Sequence, residues 1–117
     1  MKFNVLIAAI LLGLSLPAAA EYKVIEEAHE VRLADLRLPQ NETGTVGFKP
    51  CDDCNYLVKR VNGNTEWVLD GQKLSLQKFK RNLRRISDRE NTPVTVLHHL
   101  EDDRVTRVTV SPVTTAD

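Results

Sequence analysis

The sequence predicts an α+β fold, in which a small antiparallel β-sheet of about five strands carries one amphipathic helix packed on one face. Several short runs alternate apolar and polar residues, as half-buried strands do, and one longer run has apolar residues at helical three- and four-residue spacing. The strand-like runs lie on both sides of the helical run. No repeat or low-complexity tract divides them, so we expect one domain.

The first twenty residues are typical of a secretory signal peptide. A short N-terminal region carries one positive charge, at Lys2, and residues 5–16 form an uncharged, mostly apolar run. Pro17 ends this run, and the three alanines that follow match the small-x-small pattern that signal peptidase cleaves. The run has about twelve residues, whereas a membrane-spanning helix needs about twenty, so no transmembrane anchor is expected after cleavage.

We therefore expect residues 1–20 to be removed and residues 21–117 to form a single domain in the periplasm or the external medium. We expect the tail from Pro112 to Asp117 to be frayed. The residue directly after the cleavage point is Glu21 and not a cysteine, which argues against a lipid anchor.

Composition narrows the classes of function. The 117 residues include 16 basic and 16 acidic ones, and only 5% are aromatic. A neutral chain has no net field to attract nucleic acid or anionic lipid, and few aromatic side chains are present to stack on bases or sugars. The nucleophile elbow, the Gly-rich phosphate loop and the His-Glu-x-x-His pattern are absent from the sequence. We predict no nucleic-acid partner and no cofactor, and we favour a non-catalytic protein.

The first half of the domain reads as strands. Residues 22–30 are ambiguous between helix and strand, whereas residues 30–38 alternate as a strand that Pro39 ends, because proline cannot donate to a ladder. Period-two patterns at residues 45–49 and 56–61 predict a hairpin. An Asn-Gly-Asn turn then leads to a third strand at 65–69, which an Asp-Gly turn closes.

The clearest element is a helix from Leu76 to about Ser87. Ser75 is a suitable N-cap because its hydroxyl accepts from an otherwise unpaired amide of the first turn. Leu74 and Phe79 occupy the positions of a hydrophobic staple. The apolar stripe comprises Leu76, Phe79, Leu83 and Ile86.

The opposite side of this helix is basic, and it is the candidate anion- or partner-binding face. Its residues are Lys78, Arg81, Arg84 and Arg85. Such a face suits phosphate, a lipid headgroup, lipopolysaccharide or an acidic protein patch, so the partner is an unknown protein or an envelope component. The alternative is a solvated face whose cations pair inside the domain with Glu26, Glu27 and Glu30.

Two further strands are predicted at 93–100 and 104–110, joined by an acidic turn. His98 shares a face with Val94, Val96 and Leu100, which predicts a histidine at the edge of the core. His99 then points to the other side of the sheet.

The motif Cys51-Asp52-Asp53-Cys54 has the most defined chemistry. The ends of a β-turn lie within about 7 Å at Cα, and a disulfide needs about 4.4 to 6.8 Å, so a bond between Cys51 and Cys54 fits the turn of the predicted hairpin. Two cysteines in an exported chain also favour one disulfide. We expect a local bond that fixes the hairpin tip.

Two other interpretations of this motif stay open. A redox pair needs an accessible thiolate, which the two aspartates disfavour, although Lys49 offsets part of their charge. A zinc site would combine the cysteines with both His98 and His99, but neighbours on a strand point to opposite faces, so one site can hardly use both. His29 is a third possible ligand, and no metal site is predicted.

The sequence thus favours an exported interaction or structural module with a local disulfide. The alternative function is a small thiol–disulfide redox or metal-handling protein acting through Cys51 and Cys54.

Overall fold

Residues 25–112 are the part of the chain that the computed structural model describes. The predicted signal peptide, its cleavage point and residues 113–117 of the predicted tail lie outside this range. The described residues form one mixed sheet and one α-helix, which confirms the α+β class.

Seven strands and the helix follow one another along the described chain: β1 (Glu26–Arg32), β2 (Thr45–Phe48), β3 (Leu57–Arg60), β4 (Glu66–Leu69), β5 (Gln72–Leu74), α1 (Leu76–Leu83), β6 (Pro93–His99) and β7 (Arg104–Val110). Short 3₁₀ turns occupy Leu33–Asp35 and Arg89–Asn91.

β7 is the strand with the most pairing partners in the described sheet. The strands follow the order β1-β6-β7-β3-β2, and β4 also pairs with β7 and carries β5 on its other side. β6 lies antiparallel to β7, whereas β3 and β4 lie parallel to it, at Arg60↔Arg104 and from Glu66↔Arg107 to Leu69↔Val110. The prediction of about five antiparallel strands was therefore wrong in number and direction, because β5 is only three residues long and pairing direction depends on distant residues.

The connection between β3 and β4 explains how two short strands share one edge of β7. Asn62 and Thr65 enclose a turn in which the Thr65 amide donates to the Asn62 carbonyl at 3.0 Å. The buried Thr65 hydroxyl donates to the Val105 carbonyl at 2.7 Å. This bond anchors the turn to β7 between the two parallel pairings.

The predicted strand at 30–38 was also wrong beyond Arg32. β1 begins earlier, at Glu26, and a 3₁₀ turn follows it. The Leu33 amide donates to the Thr92 carbonyl at 2.9 Å, and the Leu36 amide donates to the Leu33 carbonyl at 3.2 Å. The turn places Leu33 and Leu36 in the core together. A straight strand would place two residues three apart on opposite faces.

α1 begins as predicted and ends earlier. The Ser75 hydroxyl accepts from the Lys78 amide at 3.3 Å, which confirms the N-cap. The helix ends at Leu83 and not near Ser87, because the Arg85 and Ile86 amides donate to the carbonyls three residues back and so tighten the chain into a turn. Arg89 then donates a guanidinium hydrogen bond to the Leu83 carbonyl at 3.0 Å.

A β-bulge in β7 sets which of its residues face the core. Partners advance by one on β6, from Leu97 to His98, while they advance by two on β7, from Arg107 to Val105. Thr106 is therefore the extra residue, and it changes the alternation of the strand. Val105 and Val108 are consequently both buried, although they are three residues apart.

The core lies between α1 and the covered face of the sheet. The Trp67 and Phe79 rings, 5.5 Å apart, join β4 to α1. The buried apolar residues are Val31, Leu33, Leu36, Val46, Phe48, Val61, Trp67, Leu76, Phe79, Leu83, Val94, Val96, Val105, Val108 and Val110.

Candidate functional site

Cys51 and Cys54 form a disulfide in the connection between β2 and β3, as the sequence predicted. Their Cα atoms are 5.0 Å apart, and the Cys54 amide donates to the Cys51 carbonyl at 3.2 Å, so the four residues make one hydrogen-bonded turn. The next element is β3. No helix therefore begins at the motif to lower the pKa of a cysteine thiol.

Arg32 connects the disulfide turn to the end of β1. Its guanidinium group lies 2.9 Å from a carboxylate oxygen of Asp35 and 3.4 Å from one of Asp52. The hydrogen bond to Asp35 is the main cause that raises the pKa of Arg32 above its usual range, with the charges of Asp35 and Asp52 adding to it. The Arg37 guanidinium lies 3.9 Å from the centre of the Tyr56 ring, just before β3.

A cleft of about 340 Å³ opens beside the disulfide, and its walls include Cys51, Lys49, Arg32 and Glu90. Cys51 is exposed and Cys54 is half-buried. The exposed Cys51 thus borders a cleft that also contains Lys49. The second residue of the pair is less accessible.

The candidate binding face of α1 is exposed, and we call Lys78, Arg81, Arg84 and Arg85 the basic face. Within residues 25–112, none of these four side chains makes an ion pair or a hydrogen bond. Lys80, on the same helix, is different because its ammonium group donates to the Pro39 carbonyl at 3.0 Å.

Several cations elsewhere in the domain are paired with carboxylates. Glu66 accepts from Lys73 at 2.8 Å and from Arg107 at 2.7 Å. These two hydrogen bonds, the one from Lys73 first, lower the pKa of Glu66. Lys59 bonds Asp103 at 3.0 Å. The basic face does not pair with Glu26, Glu27 or Glu30, which was the alternative interpretation of its charge.

The structure separates the cysteines from the histidines. Cys51 borders the same cleft as Pro93, the first residue of β6. His98 lies five residues further along that strand, roughly 17 Å from Pro93 at the usual rise of a strand. His98 is buried as predicted, whereas His99 is half-buried, and its Nδ1 accepts from the Asp102 amide at 3.2 Å. A zinc site that joins the cysteines to these histidines is not formed.

Sequence reasoning missed that His29 and His98 meet. Their ring centres are 6.4 Å apart because β1 and β6 are neighbours in the sheet. His98 shares a face with Val94 and Val96, and His29 shares a face with Val31, which was the available signal. The pairing of the two strands was not readable from the sequence.

The fold and this arrangement define a small α+β domain with a disulfide-clasped hairpin and an exposed basic helix. Comparison of the chain with models of protein families, with curated proteins and with solved structures gave no significant match. Within residues 25–112, no helix has the length and apolar character needed to cross a membrane.

Proposed function

We propose that the mature chain is an exported, non-catalytic interaction module that binds an acidic patch of a partner protein through the basic face. One observation carries this proposal. Among the described cations, five make no ion pair, side-chain hydrogen bond or contact with an aromatic ring, and four of them, all but Arg60, are grouped on α1 and the turn that follows it.

The unpaired state of these side chains favours binding to a partner over a role in stability. Exposed ion pairs add little to stability, so their absence costs the fold little. Three of the four cations are arginines, whose planar guanidinium groups bind carboxylates in a bidentate manner. An acidic surface would therefore find directional donors on this face.

A protein surface suits this face better than a lipid bilayer does. A helix that binds a membrane inserts its apolar side between the lipids. The apolar side of α1 is already packed in the core through Leu76, Phe79 and Leu83. Only its charged side is available.

Export and the disulfide support each other in this proposal. The N-terminal segment has the features of a signal peptide, and disulfides persist in oxidising compartments outside the cytoplasm. The bond between Cys51 and Cys54 holds the tip of the β2–β3 hairpin in one shape.

Titration of the isotope-labelled mature protein with an oligoglutamate peptide tests the basic face. We expect amide shifts confined to residues 76–86, which disappear when about 0.5 M salt screens the charges. The double substitution Arg81→Gln with Arg85→Gln should abolish them without unfolding the domain. Arg60→Gln is the matched control, because Arg60 is also exposed and unpaired but lies on β3.

Three results would overturn the proposal. If vesicles of phosphatidylglycerol bind the protein and the peptide does not, the face recognises lipid. If neither binds at low salt, the face is simply solvated. Shifts that persist in the double variant would place binding elsewhere on the domain.

A second candidate function is thiol–disulfide exchange, favoured by the exposure of Cys51 beside the cleft that contains Lys49. A substrate dithiol would reduce the Cys51–Cys54 bond to two thiols and would itself become a disulfide. Titration against glutathione distinguishes the two functions. A midpoint below about −300 mV marks a structural bond, whereas one between about −270 and −120 mV is typical of oxidoreductases.

A further inference from the structure

We infer that Glu27, His29 and His98 form a binding site for a divalent transition metal of the zinc type. The register of the sheet creates the site. Glu27 of β1 lies directly opposite His98 of β6, and His29 follows Glu27 by two residues, on the same face. Two strands thereby present three ligand-type side chains to one point at the edge of the core.

The distances suit a metal after a small adjustment. One ligand atom from each residue lies within 4.8 Å of the others, and the His29 Nε2 atom is 3.6 Å from a Glu27 carboxylate oxygen. Ligands at about 2.0–2.2 Å in a tetrahedral zinc site are roughly 3.4 Å apart. Rotation of the exposed Glu27 side chain and small movements of the rings cover the difference.

The His29 Nε2 atom provides a second, independent observation. It is buried and has no hydrogen-bond partner within the described part of the chain. Such a buried polar atom is costly unless something satisfies it. A metal ion at the centre of the three residues would accept the lone pair of this nitrogen.

Neighbouring side chains would hold the histidines in place as metal ligands. The Asp103 carboxylate lies 2.7 Å from His98 Nε2, and the Lys59 ammonium group donates to the same carboxylate oxygen at 3.0 Å. A carboxylate that holds one nitrogen of a ligating histidine fixes the ring and its tautomer, and leaves the lone pair on the other nitrogen free to bind a metal. The Phe48 ring, 5.2 Å from that of His29, forms an apolar wall.

The donor set indicates the class of metal. Two imidazoles and one carboxylate suit zinc and its neighbours, whereas calcium and magnesium prefer oxygen ligands alone. Three protein ligands leave a fourth position for water or for a ligand atom from another molecule. The site shares no residue with the disulfide or with the basic face, so it stands or falls independently of the proposed function.

Competition between the mature protein, without an affinity tag, and a chromophoric chelator for Zn²⁺ measures the site directly. We expect one equivalent to bind, and Ca²⁺ or Mg²⁺ to have no effect. Co²⁺ in place of Zn²⁺ should give the visible absorption of a low-coordinate nitrogen–oxygen site. This signal reports the ligands even if binding is weak.

The variants are chosen so that folding does not confuse the result. Glu27 is exposed, so Glu27→Gln should fold normally and weaken Zn²⁺ binding by more than about tenfold. His29→Gln should remove both binding and the Co²⁺ signal. Asp103→Asn keeps the shape and tolerates the positive φ at that position, and should weaken binding about 10- to 100-fold.

His99→Gln is the matched control, because His99 neighbours His98 on β6 but faces the other side of the sheet. It should leave the affinity unchanged. The proposal is overturned if the wild-type protein takes up no Zn²⁺, or if Glu27→Gln and His29→Gln bind as tightly as wild type. An affinity lost only with His99→Gln would place the metal on the opposite face.

Discussion

Replacing Phe79 with alanine is expected to lower the free energy of unfolding by about 3–5 kcal/mol. Phe79 is fully buried at the centre of the apolar side of α1. Burial of its ring contributes about 2–3 kcal/mol, the contact with Trp67 adds about 0.5–1.5 kcal/mol, and the cavity left behind adds to the loss. A domain of this size has about 4–13 kcal/mol in all, so the loss is a large share.

Urea denaturation measures this effect. Trp67 is the only tryptophan in the sequence, and it is buried, so its fluorescence reports unfolding. With a slope of about 1.5 kcal/mol per molar urea, the midpoint should fall by about 2 M or more. Because Phe79 contacts Trp67, far-ultraviolet circular dichroism should be recorded in parallel. Both signals should give the same midpoint.

Two further substitutions serve as comparisons for Phe79→Ala. Phe79→Leu keeps most of the volume and should cost less than the alanine substitution. Gln77→Ala, on the exposed side of the same helix, should change the midpoint little. A shift below about 0.5 M for Phe79→Ala would refute the packing of α1 described here, since a fully buried ring cannot be removed at so small a cost.

Two other predictions concern the disulfide and the pH dependence of stability. Serine at both Cys51 and Cys54 should cost about 2 kcal/mol or less in urea, because the closed loop is very short, and a much larger loss would show that the bond holds the whole fold. Hydrogen bonds from Lys59 first, and then from His98, lower the pKa of Asp103. Its contribution to stability is therefore complete above about pH 4, the range of an unfolded aspartate, and is lost as the pH falls through the lower folded pKa. The urea midpoint should fall less steeply below pH 4 in Asp103→Asn, and an unchanged profile would contradict the assignment.

Elements specified by neighbouring residues could be predicted from the sequence. The N-cap at Ser75, the disulfide turn and the last strand each depend on residues within a few positions, and all three are present in the structure. The extension of α1 to Ser87 was wrong for the same kind of reason. The spacing of Ile86 continues the helical pattern, but a three-residue turn also places this side chain against the core.

Features that depend on distant pairing could not be predicted. The parallel contacts of β7, the early start of β1 and the bulge at Thr106 all follow from which strand lies beside which. An alternating pattern indicates that one face of a strand is buried, but it does not identify the strand that pairs with it. The approach of His29 to His98 is a product of that same pairing, so it was hidden for the same reason.

The position of β7 along the chain has a consequence for how the domain folds. β3, β4 and β6 all pair with β7, yet β7 follows them all in the described sequence. In a chain that emerges N-terminus first, these three strands must wait with one edge open, because their partner arrives last. Productive folding is then delayed until nearly the whole domain has emerged, and the waiting edges are the surfaces that a chaperone would have to shield.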